Sequence, residues 1–124
     1  MATILVVDDD PNSRLLVATL LEPAGHLVLE AAGGEDALVR ARERHVDLVI
    51  TDLSMPGGSG AAFVRALRAD PRHADIAIVL YTGSSPSHAM RDFMVGYRIA
   101  GLIEKPIDPH AFLDAVAAAL RPPA

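Results

Sequence analysis

Short runs of β-branched and apolar residues alternate along the chain with stretches whose apolar positions recur every three or four residues. The runs are Thr3–Val7, Leu27–Ala31, Asp47–Thr51, Ile76–Tyr81 and Gly101–Glu104. Most lack strict two-residue alternation, which predicts strands buried on both faces of a parallel sheet rather than half-exposed hairpins. The intervening stretches predict amphipathic helices. Their apolar stripes are Leu16, Leu20 and Leu21; Ala37, Leu38 and Ala41; Phe63, Val64 and Leu67; Met90, Phe93 and Met94; and Phe112, Val116 and Leu120.

Helix starts are marked as well. Asp10-Pro11 and Asp108-Pro109 each pair a capping carboxylate with a proline at the first helical position, and Ser87 is placed to cap the fourth helix. Gly33-Gly34, Pro56-Gly57-Gly58 and Asp70-Pro71 read as breaks, and Pro122-Pro123 ends the last helix. Five β-α units in alternation predict an α/β fold: one doubly wound, open parallel sheet with helices on both faces.

Composition narrows this picture. A chain of 124 residues is one domain by size, and 51% hydrophobic residues suit strands buried on both faces. The net charge of −5, with no basic cluster in the sequence, gives no nucleic-acid footprint. With no cysteine, disulfides, thiolate metal sites and thiol catalysis are excluded, and a cytoplasmic location is expected. No signal peptide or apolar run of spanning length is present, so no membrane partner is expected.

In an open parallel sheet, chemistry collects at the carboxyl ends of the strands. There the sequence places Asp8-Asp9-Asp10 after the first run, Asp52 after the third, Thr82-Gly83 after the fourth and Lys105-Pro106 after the fifth. Taken singly, each is ordinary: a solvated loop with a cap, a turn aspartate, a strand terminus, a surface turn. Taken in order, they form a kit. Converging carboxylates repel unless a hard cation joins them, and Mg²⁺ suits oxygen donors with a position left open for phosphate. A lysine and a hydroxyl complete the parts for phosphoryl transfer, with a carboxylate as nucleophile.

Ile4 to Pro11, then Asp47 to Pro56 with Gly60, then Thr82-Gly83, then Lys105-Pro106 together resemble the receiver domain of bacterial two-component response regulators, over essentially the whole chain. The resemblance implies a flavodoxin-like five-stranded sheet of order 2-1-3-4-5 and a single receiver domain spanning residues 1–124. It implies Asp52 as phosphoacceptor, Asp9 as a direct Mg²⁺ ligand, Asp8 acting on the ion through water, and the backbone carbonyl of Ser54 as a further ligand. Lys105 would contact the phosphoryl oxygens, and the Thr82 hydroxyl would follow the phosphoryl group. A cis peptide bond is implied before Pro106. The donor would be a histidine kinase or a histidine phosphotransfer protein. The output would be a separate protein or a covalently linked domain, reached through the face of the fourth helix, fifth strand and fifth helix, and the chain could be the receiver module of a larger regulator or of a hybrid sensor histidine kinase.

The chain departs from the family at Leu102, where a Tyr or Phe often stands, so the readout is expected to differ. Tyr97 is expected to be a surface or packing residue. Ser54 and Ser84, small and polar, would flank the phosphorylation site and help to set its lifetime. Gly57-Gly58-Ser59-Gly60 has no following lysine and is not a phosphate-binding P-loop. The five histidines lack ligand spacing. Two alternatives stay open. One is an aspartyl-nucleophile phosphatase, disfavoured because Ser54 stands where those enzymes carry a second aspartate. The other is a pseudo-receiver that serves as a docking scaffold.

Overall fold

The computed structural model describes residues 2–53, 59–83 and 86–121. In chain order the elements are β1 (Thr3–Val7), α1 (Pro11–Leu21), a 3-10 turn (Glu22–Ala24), β2 (Leu27–Ala31), α2 (Gly34–Glu43), β3 (Leu48–Asp52), α3 (Ser59–Ala69), β4 (Ala77–Thr82), α4 (His88–Gly96), β5 (Gly101–Glu104) and α5 (Pro109–Leu120). All strand pairs are parallel, in the order β2-β1-β3-β4-β5. The chain reverses its direction of travel across the sheet between β1 and β3, which is where such folds carry their sites.

Alternation along the strands divides the core into two layers. Ile4 and Val6 of β1, Leu48 and Ile50 of β3, and Val79 and Tyr81 of β4 pack with Val17 and Leu21 of α1 and with Phe112 and Val116 of α5. Leu5, Val7, Val49, Ile78 and Leu80 pack with Ala37 and Ala41 of α2 and Phe63, Val64 and Leu67 of α3, with Phe93 and Met94 of α4 partly buried against them. Burying a side chain of this size stabilises by roughly 1.5–3 kcal/mol relative to exposure.

The caps form as the sequence predicts. Asp10 accepts from Asn12 N, Ser87 from Met90 N and Asp108 from Ala111 N. Four local expectations are corrected. Asp47 is not the first residue of β3: its backbone N–H donates to Thr3 O and its carboxylate accepts from Thr3 N, so it ties β1 to the loop before β3. At its other end β3 runs one residue further than the predicted run and includes Asp52. Likewise β4 begins at Ala77 and includes Thr82. On α1 the buried residues are Val17, Ala18 and Leu21, whereas Leu16 is 48% exposed, because it lies on the side of the helix turned away from the sheet. Gly34 opens α2 instead of breaking the chain, with Gly33 at the cap.

Candidate functional site at the carboxyl ends of the strands

The carboxyl ends of β1, β3, β4 and β5 meet at one rim. Asp8 leaves β1 and is held on three sides. Its N–H donates to Ala31 O of β2, its Oδ1 accepts from Asp10 N at 2.9 Å, and its carbonyl accepts from Arg14 Nη1 at 2.7 Å. Arg14 is fixed in turn by Glu30, with Nε 3.2 Å from Oε1. Asp52 closes β3 opposite Tyr81 and is buried, as is Thr82. A Cβ at Gly60 would collide with the Asp52 carbonyl oxygen, so α3 approaches the aspartate in a way only glycine permits.

Lys105 reaches this rim from the end of β5. Its N–H donates to Thr82 O at 2.7 Å, and the Lys105–Pro106 peptide bond is cis, as the resemblance implies. Its Nζ lies 3.1 Å from Asp52 Oδ2 and 3.7 Å from Asp8 Oδ2. Ligand atoms of Asp8, Asp9 and Asp52 all lie within 4.8 Å of one another. Asp8, Asp9, Asp52, Thr82 and Lys105 thus converge on one rim. Ser54, Ser84 and the Pro56-Gly57-Gly58 break lie outside the described residues.

The electrostatics follow from burial and crowding. Burial pushes the Asp8 carboxyl above its ordinary value; the Asp10 N–H and Lys105 work against that shift, while Asp52 and Asp9 add to it. Burial also opposes the charge on Lys105, but the hydrogen bond and charge of Asp52, with Asp8, outweigh it, and the ammonium is held more tightly than usual. Asp8 Oδ2 is buried and has no hydrogen-bond partner among the described residues. A buried carboxylate oxygen left in this way, beside two more carboxylates, fits a hard divalent cation.

Sequence reasoning missed Tyr81. It is buried on β4, and the Lys105 Nζ sits 4.2 Å from its ring centroid. Tyr97, by contrast, is a packing residue: its ring lies 4.8 Å from that of Phe93, and its carbonyl accepts from Arg68 Nε. Leu102 pairs with Leu80 and is partly buried against the layer of α2 and α3.

A concavity of about 1240 Å³ lies at the opposite, amino end of the strands, and six arginines line it. Those with described partners serve the loops. Arg68 donates to the carbonyls of Tyr97, Ala74 and Ile76, Arg98 donates to Ala74 O, and Arg72 pairs with Asp70. The acidic rim is chemically separate from it.

Comparison with known proteins agrees with this geometry. The family profile described as "Response regulator receiver domain" matches residues 4–117. The chain is 33% identical over 122 residues to the protein PilH of Pseudomonas aeruginosa, covering 97% of this chain and 98% of that one. It is 35% identical over 124 residues to the autoinducer sensor kinase/phosphatase CqsS of Vibrio cholerae, covering 93% of this chain but 17% of that protein. Among solved structures, the chemotaxis protein CheY4 of Vibrio cholerae superposes with a TM-score of 0.90 at 31% identity, covering 97% of this chain and 99% of that one. The response regulator TrrA of Thermotoga maritima, solved in complex with Mg²⁺ and BeF, superposes with a TM-score of 0.83 at 32% identity, covering 97% of this chain and 100% of that one.

Proposed function

The chain belongs to the response regulator receiver domain family, the signalling switches of two-component systems, and from that premise we propose that it is a single phosphoacceptor domain whose Asp52 takes up a phosphoryl group. The observation that carries this reading is the Lys105 ammonium 3.1 Å from Asp52 Oδ2, inside a group of three carboxylates. The donor is a histidine kinase or a histidine phosphotransfer protein, and sensor kinases such as CqsS contain a segment similar to this chain. A cytoplasmic location suits such a donor; among the described residues no helix is long and apolar enough to cross a membrane.

In the proposed step a carboxylate oxygen of Asp52 forms a bond to phosphorus as the bond between phosphorus and the donor's imidazole nitrogen breaks. The imidazole leaves with the bonding electron pair and takes its proton from solvent. Asp52 is already pointed at its task, because β3 ends on it and Gly60 presses against its carbonyl. Asp9 and Asp52, with the Ser54 carbonyl and with Asp8 through water, would hold Mg²⁺; the complex of TrrA with Mg²⁺ and BeF supports this assignment. When bound, that ion supplies the positive charge that neutralises the phosphoryl oxygens. Lys105 moves its hydrogen bond from Asp52 to a phosphoryl oxygen, and the Thr82 hydroxyl donates to another. The backbone link from Lys105 N to Thr82 O joins these two residues. The change is then read by a downstream protein or a linked output domain at the face of α4, β5 and α5, where Leu102 replaces a ring with an aliphatic side chain.

The test is incubation with Mg²⁺ and acetyl phosphate, followed by intact-mass analysis. The wild-type chain is expected to gain one phosphoryl group and Asp52→Asn none. A wild-type chain that gains none would favour a docking scaffold, and sustained hydrolysis of an unrelated phosphoester would favour a phosphatase.

A further inference from the structure

Lys105 is the single lysine of the chain, and its ammonium has a third neighbour besides Asp52 and Asp8. We infer that Tyr81 is a positioning residue for Lys105: its buried ring holds the ammonium at the rim, so that the lysine is already in place when a phosphoryl group arrives on Asp52. The inference rests on the phosphoacceptor reading of Asp52 and adds to it a residue outside the acidic cluster, Thr82 and Lys105.

The register explains why a tyrosine at this position can do this. Tyr81 pairs with Ile103 and Thr82 with Glu104, so Lys105 is the next residue along and its N–H closes onto Thr82 O. The lysine stem therefore starts just past β5, two positions beyond the Ile103 that faces Tyr81 and so on the same side of the sheet, and the Nζ comes to 4.2 Å from the ring centroid. The electron-rich face of an aromatic ring attracts an ammonium, more strongly where water is partly excluded. Tyr81 itself is 4% exposed and packs with Ile103, Phe112 and Val116 in the layer of α1 and α5, which leaves its ring little freedom.

The two carboxylates and the ring act differently on the lysine. Asp52 Oδ2 is the group expected to be consumed as an acceptor once that carboxylate carries a phosphoryl group. The ring is not consumed, so it keeps the flexible four-carbon stem near the same place before and after loading. Without it, the ammonium would have to find the phosphoryl oxygens from a wider set of rotamers.

The test uses the full chain labelled with ¹³C-lysine, in which the only lysine methylene signals are those of Lys105. In the wild type and in Tyr81→Phe, the Lys105 Hε protons are expected to be shifted upfield by the ring, and in Tyr81→Leu they are expected to return to the value of a lysine without an aromatic neighbour. Loading by acetyl phosphate at saturating Mg²⁺ is expected to be about three- to tenfold slower in Tyr81→Leu, the factor a cation–π contact of this kind corresponds to. Tyr81→Phe is expected to restore the wild-type rate. An unshifted Hε signal in the wild type overturns the inference with no substitution needed, even if Tyr81→Leu folds poorly. A leucine variant loaded as fast as wild type also overturns it. A wild-type chain that gains no phosphoryl group overturns the phosphoacceptor reading itself, and the inference with it.

Discussion

Lys105 Nζ and Asp52 Oδ2 stand 3.1 Å apart across 53 positions of sequence, and Asp8 Oδ2 is 3.7 Å from the same nitrogen. One ammonium thus offsets part of the repulsion within a group of carboxylates. Replacing it with methionine should leave that negative charge for a cation to neutralise. Lys105→Met is expected to bind Mg²⁺ roughly two- to tenfold more tightly, since a nearby like charge no longer opposes the ion. It is also expected to be loaded more slowly by acetyl phosphate. Calorimetric titration at fixed ionic strength checks the first part, and weaker Mg²⁺ binding by the variant would count against the assigned electrostatics.

Asp8 gives a pH-dependent prediction. Its folded pKa is raised, chiefly by burial, so the native chain holds this proton more tightly than the unfolded chain does. The ionised carboxylate therefore costs stability above the folded pKa, and that cost disappears below the unfolded value of about 3.9. Asp70 and Asp47 have the opposite sign. Hydrogen bonds from Arg72 and from Thr3 N depress them, so their contribution is present above the unfolded value and lost as pH falls through their folded values. In metal-free buffer near pH 7, Asp8→Asn is expected to melt above wild type by a few degrees, about 1 kcal/mol being roughly 3–5 °C for a domain of this size. Its advantage should vanish near pH 4, and Mg²⁺ should raise the Tm of wild type more than that of the variant. Thermal scans across pH and Mg²⁺ concentration check all three.

Gly60 and Gly96 make a matched pair. A Cβ at Gly60 would strike the Asp52 carbonyl oxygen and lie 2.9 Å from Leu53 Cα, both backbone atoms that cannot swing aside. Gly60→Ala is expected to destabilise by about 1–3 kcal/mol and to slow loading of Asp52. Gly96, the last residue of α4, has nothing within 4 Å of its added Cβ. Gly96→Ala should be neutral or stabilising by up to about 1 kcal/mol. Urea denaturation distinguishes them, and equal losses at both positions would contradict the packing described for α3.

The elements and the acidic rim were legible because four of the five strand runs have a residue that carries the chemistry at or just beyond their carboxyl ends. Apolar periodicity does not say which side of a helix meets the sheet. That is why Leu16, equal in hydropathy to its neighbours, is exposed while Val17 is buried. The start of β3 was off by one because a side chain competes for the backbone there, the Asp47 carboxylate at Thr3 N. Tyr81 carried no signal of its own. An aromatic residue in a strand run reads as core, and its contact with Lys105 exists only once β5 lies beside β4 in the observed register.

Arg68 was equally invisible as a structural group. Its guanidinium donates to the carbonyls of Tyr97 at 2.8 Å, Ile76 at 2.7 Å, Ala74 at 3.2 Å and Arg98 at 3.3 Å, tying the loop before β4 to the end of α4. Burial and the neighbouring Arg98 pull its pKa below the usual guanidinium value. Arg68→Ala is expected to cost roughly 2–4 kcal/mol by leaving several of these carbonyls without a donor. Arg68→Lys should recover less than half, because a single ammonium cannot span acceptors set around a planar fork. Chemical denaturation of the two variants checks the ordering; a full rescue by lysine would show that charge rather than geometry matters there.

The central claim is that Asp52 carries the phosphoryl group, and mapping the modified residue tests it most directly. After loading with acetyl phosphate and Mg²⁺, borohydride reduces an aspartyl phosphate to homoserine, which peptide mass spectrometry can locate. The expected result is homoserine at position 52 alone, dependent on Mg²⁺ and absent from Asp52→Asn. Homoserine at Asp8 or Asp9, or at no residue of a correctly folded chain, would contradict the account.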